Sequence, residues 1–252
     1  LESISAGRLP LVRALTGQDL KVVLSWGAGD PYDLDLHVVG TLPAGQTVTN
    51  VNNDDCGTGN NSLFHVWAAR PSVGMSWAQQ YSAKTRTYIQ GASQYNSSGY
   101  FPLNPDTTTA LVQDAITGFG PEAINFIGGY TDGTYWFSVA NWSQWFAGSY
   151  AGADKFNQQW DVTNVEIKVY DATGLAFQMV AAEPTVTPDF TEAASQAGCS
   201  STSDWQQCEL WRAFTMTVSG TGPSSRVFTP VNQYANWPDN SGTQDQSKCK
   251  MG

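Results

Sequence analysis

Lys21-Val-Val-Leu-Ser-Trp26, then a turn at Gly27-Ala-Gly-Asp-Pro-Tyr32, then Asp33-Leu-Asp-Leu-His-Val-Val39 is the stretch that decides the fold class. The first run is short, apolar and β-branched, and Gly and Pro end it, as expected of a strand. The second alternates strictly: Asp33, Asp35 and His37 face one way, and Leu34, Leu36 and Val38 the other. Period two is the signature of a strand with one face on a core.

Further runs of the same kind follow at Leu63–Trp67, Ala110–Gln113, Ala123–Ile127 and Gly133–Asn141. Asn164–Tyr170 and Leu175–Val180 read as a hairpin around Asp171-Ala-Thr-Gly174, and Glu209–Val218 and Arg226–Val231 are the last pair. One more strand is expected near Thr85–Ile89, and the helix candidates, in Ala78–Ser82 and Thr191–Ala197, are brief. Many short strands separated by turn signals predict an all-β fold, an antiparallel β-sandwich of jelly-roll or Ig-like type. The division is an extended N-terminal arm over 1–18, one sandwich domain over 19–235, and a C-terminal tail over 236–252. Long insertions are expected at about 40–103 and 184–208. In the arm Leu9, Leu11, Arg13 and Leu15 alternate, and Pro10 confines that stretch to an edge or exposed strand.

Composition narrows the function classes. In 252 residues, 41% hydrophobic content supports a core, while charged residues are only 13%, about half the usual ~25%. The net charge of −10 repels a phosphate backbone and argues against nucleic acid as a partner. No apolar run approaches the ~20 residues needed to span a bilayer. The sequence begins at Leu1 with no basic-then-apolar leader, so a processed product or a fragment is expected. Cys56, Cys199, Cys208 and Cys249 lack metal or redox spacing. Cys199 and Cys208 flank a short polar loop and are paired here, which leaves Cys56 for Cys249; other connectivities and free thiols stay open. Sequons begin at Asn60, Asn96 and Asn141. Low charge, paired cysteines and glycosylation sites together point to an extracellular or cell-surface protein.

Leu24-Ser-Trp26 with Asp33-Leu-Asp-Leu-His37 resembles the opening of the YfaP-like modules of secreted and surface proteins. Asp114 with Gly118-Phe-Gly-Pro-Glu122 is similar to their "D…G-F-G-P-E" turn, and Gly133-Thr-Tyr135 with Val139 and Asn141 to the strand that follows. Trp211-Arg-Ala-Phe214 and Thr229-Pro-Val-Asn232 resemble the ending. The matches run in order over about residues 20–235, and the segments at 40–103 and 184–208 depart from the pattern. The resemblance implies a secreted β-sandwich, often beside adhesive modules, with no established catalytic activity.

Chemistry-bearing residues are few. No G-x-S-x-G, H-E-x-x-H or Walker loop is present, and only His37 and His65 can serve a triad. His37, inside an alternating strand, is expected to be structural. Calcium is the candidate cofactor, through Asp33, Asp35, Asp114 and Glu122, because hard cations gather carboxylate and carbonyl oxygens. The alternative is that these carboxylates accept backbone N–H bonds. Trp142, Trp145 and Trp160 form a candidate sugar-stacking set, or else fold over their own sandwich. The expected function is a non-enzymatic structural or adhesive subunit that associates with copies of itself, with Leu9, Leu11 and Leu15 as assembly contacts. The alternative is a secreted carbohydrate-binding module or glycoside hydrolase, with glycans as partners.

Overall fold

The computed structural model describes residues 15, 19–27, 34–41, 63–66, 109–113, 121–126, 132–141, 160, 165–184, 208, 210–220 and 225–235. Ten strands occupy them: β1 (Leu20–Ser25), β2 (Leu34–Thr41), β3 (Leu63–Val66), β4 (Thr109–Gln113), β5 (Glu122–Phe126), β6 (Gly133–Asn141), β7 (Glu166–Asp171), β8 (Gly174–Val180), β9 (Leu210–Val218) and β10 (Arg226–Ala235). Among the described residues there is no α-helix. The strands form two five-stranded sheets, in the orders β4-β5-β1-β7-β8 and β10-β9-β6-β2-β3. Every pairing is antiparallel, and four of them join strands consecutive in sequence: β2–β3, β4–β5, β7–β8 and β9–β10. The expected all-β antiparallel sandwich is the observed architecture.

Side chains crossing between the sheets show how the layers lie. Phe126 of β5 packs edge-on against Tyr135 of β6, at 5.9 Å between centroids. Phe177 of β8 stacks on Phe228 of β10 at 5.0 Å and lies against Phe214 of β9 at 4.8 Å. So β5 lies over β2 and β6, while β8 lies over β9 and β10. The shared core follows from the alternation: Leu20, Val22 and Leu24 of β1, Leu34, Leu36 and Val38 of β2, and Ile167 and Val169 of β7 are all buried. A buried Leu or Val contributes ~1.5–3 kcal/mol relative to an exposed one, so this pattern drives the sandwich together.

The hairpin between β7 and β8 shows how local chemistry sets register. Asp171 closes the turn by accepting the Thr173 backbone N–H at 2.7 Å and the Thr173 hydroxyl at 2.6 Å. Gly174 then takes φ +120°, a conformation that a side chain disfavours. Across the layers the second oxygen of Asp171 accepts from Arg226 of β10 at 2.6 Å.

Most strand limits differ from expectation by one or two residues, and two of the differences change the sheets. β2 runs on to Thr41 and pairs there with β3, so the sheet extends into the stretch expected to be an insertion. β10 runs to Ala235 rather than Val231, because a bulge between Pro230 and Gln233 breaks the alternation without ending the pairing. The strand near Thr85–Ile89, both helix candidates, the arm apart from Leu15, and the tail lie outside the described residues.

Candidate functional site

β2 carries the groups with the most chemistry, and it is buried on both faces. Leu34, Leu36 and Val38 meet the core, yet Asp35 and His37 are also inaccessible, at 4% and 0% exposure. The register aligns His37 with Ser138 of β6, Ser138 with Arg212 of β9, and Arg212 with Gln233 of β10. This polar row crosses the face of its sheet turned away from the core. Arg212 donates to the Gln233 side chain at 3.3 Å. His37 and Ser138 of this row are 0% and 1% exposed.

Glu122 lies on the core-facing side of β5, opposite Leu24 of β1. It is fully buried, and its Oε2 accepts the Leu36 backbone N–H at 2.6 Å. Among the described residues β3 pairs with β2 only from Val38 onward, and Glu122 supplies the acceptor for the Leu36 N–H. It thereby ties the two sheets together. Asp35 points to the opposite face of β2, so these two carboxylates do not converge on an open site. Among the described residues no three His, Cys, Asp or Glu gather as a ligand group; Asp33 and Asp114 lie outside those residues.

Two further assignments are corrected. Trp160 is not an exposed sugar platform: it is 1% exposed, donates its indole N–H to the Cys208 carbonyl at 2.6 Å, and packs edge-on against Trp211 and Tyr234. Asn141 ends β6 at 0% exposure, opposite Leu34, and a glycan cannot be accommodated on a side chain buried in a sheet. Trp142, Trp145, Asn60 and Asn96 lie outside the described residues, as do Cys56, Cys199, Cys249, Leu9 and Leu11. Cys208 is disulfide-bonded, and Leu15 is half-buried without being in a strand.

The residues that resemble a family ending are a hydrogen-bonded clasp. Asn232 sits in the β10 bulge at φ 49°, a region that Asn tolerates better than most residues. Its Oδ1 accepts the Trp211 indole N–H at 3.0 Å, and its Nδ2 donates to the Glu183 carbonyl at 3.1 Å. Tyr234 donates its hydroxyl to the Ala182 carbonyl at 3.2 Å, and burial pushes its phenol well above the ordinary range. The clasp fastens the chain leaving β8 onto β9 and β10.

The exposed large apolar side chains among the described residues are Leu175 at 52%, Val180 at 44% and Val227 at 61%, all on β8 and β10. These two strands are the edges of their sheets on one side of the sandwich. Between them Phe177, Met179 and Phe228 of the core side are only partly buried. Sequence reasoning found β8 as a hairpin strand but not as a sheet edge, although Gly174-Leu-Ala-Phe-Gln-Met-Val180 carries no charge and no proline, the composition of an unguarded edge. On the outer face of the same sheet, Lys21 faces Asn125 and Tyr170, and burial holds its ammonium below the ordinary lysine range.

Comparison of the chain with protein-family models, with curated proteins and with solved structures gives no match.

Proposed function

We propose that this chain is a structural subunit of an extracellular or cell-surface assembly, built by contact between copies of itself. The observation that carries this reading is the placement of exposed apolar side chains on β8 and β10, two neighbouring sheet edges. Soluble monomers guard such edges with charges, proline or a covering segment, whereas assembling subunits use them for added strands. The buried polar groups lend support from the other side. Asp35, His37, Glu122, Asp171 and Arg226 are all inaccessible and spend their chemistry inside the fold.

The resemblance to YfaP-like surface modules points the same way, as does a chain poor in charge. A Cys199–Cys208 disulfide, a second from Cys56 to Cys249, and glycans at Asn60 and Asn96 belong to this proposal as marks of secretion. The test is analytical ultracentrifugation of secreted material with negative-stain imaging. Multimers or filaments are expected; a single 27.2 kDa species at all concentrations sinks the reading. In that event, binding to a glycan array points to the carbohydrate-binding alternative.

A further inference from the structure

We propose that Lys21 of β1 and Asn125 of β5 are the two halves of an intramolecular isopeptide bond, an amide between the Lys21 Nζ and the Asn125 Cγ that fastens β1 to β5. This inference goes beyond self-association and does not rest on it.

The register puts the two side chains together. Lys21 lies directly opposite Asn125. Its neighbours Leu20 and Val22 face the shared core, so Lys21 stands on the other face of the sheet. Directly opposite residues of an antiparallel pair have Cβ atoms ~4.5–5.5 Å apart. The flexible four-carbon stem of a lysine crosses that gap, and the carboxamide carbon of an asparagine sits one bond beyond its own Cβ. The surroundings are apolar and dry. Asn125 is 4% exposed and Lys21 is half-buried. Val23 and Ala123, the next pair on this face, are 6% and 0% exposed, and Tyr170 packs against them. Tyr170 also lies opposite Lys21 on the β7 side.

The two groups suit the reaction. Burial holds the Lys21 ammonium below the ordinary range, which favours the neutral amine, the nucleophilic form. The Asn125 Oδ1 is buried and accepts no hydrogen bond among the described residues, so no donor competes for its carbonyl. Asp19 immediately precedes β1, is 3% exposed, and lies two positions from Lys21, on the same side by the period of an extended chain. Its carboxyl is the group placed to relay a proton. The remaining described lysine and asparagines lack this arrangement. Lys168 is paired with Glu166 at 2.5 Å, and that hydrogen bond raises its ammonium above the ordinary range. Asn232 is held in the clasp, and Asn141 lies opposite Leu34.

The step balances without an oxidant or a co-reactant. The Nζ lone pair forms the bond to Cγ, the Cγ–Nδ2 bond breaks, and Nδ2 leaves as ammonia. The proton lost by Nζ passes through the Asp19 carboxyl to the departing nitrogen. The product is a neutral amide, and the chain becomes lighter by about 17 Da. β1 is the central strand of the β4-β5-β1-β7-β8 sheet, so the link secures the middle of that layer to its neighbour.

The reaction needs only this chain's own residues and is expected to run in bacterial cells. The experiment is intact mass spectrometry of the folded full chain produced there, with its disulfides reduced, followed by proteolytic mapping. A mass about 17 Da below that of the unmodified sequence is expected, with a branched peptide joining the segment that carries Lys21 to the one that carries Asn125. Lys21→Met and Asn125→Ala are each expected to restore the full mass and to lower the melting temperature. Asp19→Asn is expected to restore the full mass as well, with circular dichroism showing that it is folded. A folded wild type at full mass overturns the inference, whether or not the chain self-associates. Ammonia loss that maps to a succinimide within one peptide overturns it too. A folded Asp19→Asn that still yields the branched peptide overturns the relay and leaves the bond standing.

Discussion

Arg226 and Asp171 meet at 2.6 Å with side chains 2% and 5% exposed, one from the end of β10 and the other from the end of β7. Removing one member of such a pair strands the other in a poorly solvated place, at about 3–5 kcal/mol. Arg226→Met is therefore expected to lower unfolding free energy by that order in urea titrations at pH 7. Replacing both partners, Asp171→Leu with Arg226→Met, is expected to cost less than the single change. The pair also has a pH signature. Burial alone raises the Asp171 carboxyl, but the Thr173 hydroxyl and backbone N–H together with Arg226 outweigh it and hold the carboxyl below the ordinary value. A depressed carboxylate stabilises the fold fully above the unfolded value of about 4, and that stability is lost as pH falls through the folded value. Wild-type stability is thus expected to decline below about pH 4 with a component missing from Asp171→Asn. Identical acid profiles for the two proteins refute this account.

At the scale of elements, the β10 bulge concentrates what the sequence half disclosed. Asn232 combines φ 49° with bonds to Trp211 and Glu183. Asn232→Ala removes the acceptor of a buried indole N–H, a loss of about 1–3 kcal/mol, and adds backbone strain. Asn232→Gly loses the same bonds but fits the conformation, so thermal melts are expected to place it between wild type and Ala. Equal melting temperatures for the two variants remove strain from the explanation. Strands were legible wherever alternation was clean, as in Leu34, Leu36 and Val38, and β10 was cut short where Asn232 interrupts it. Faces were less legible. Asp35 and His37 alternate as a solvent face does, yet both are buried, because period two reports which residues share a face and not what covers that face. Trp160 had no local signal at all. Its place beside Trp211 and Tyr234 comes from tertiary packing, and Glu122 likewise finds Leu36 across the layers. The β8 edge was readable in principle, from a charge-free run next to a turn, but naming it an edge required the strand order.

For the whole molecule, the two proposed disulfides predict how the sandwich answers to reduction. Cys208 is disulfide-bonded and lies just before β9, where its carbonyl receives the Trp160 indole. With Cys199 as the proposed partner the closed loop is short, and the loop-length model assigns it about 3 kcal/mol at 25 °C. A Cys56–Cys249 link closes most of the chain and is assigned about 5 kcal/mol. The two therefore differ in what their loss changes. Opening the short loop loosens the chain beside Trp160, which stands in the core against Trp211 and Tyr234, and is expected to shift tryptophan emission to the red. Opening the long one frees the unfolded ensemble more and is expected to lower the melting temperature further while leaving that emission unchanged. Cys199→Ser/Cys208→Ser and Cys56→Ser/Cys249→Ser separate the effects, with non-reducing peptide mapping of the wild type to establish the links. A peptide joining Cys208 to Cys56 or Cys249 refutes the pairing. A larger melting shift from the 199/208 variant than from the 56/249 variant refutes the ordering by loop length, and places the stability in native contacts around Cys208 instead.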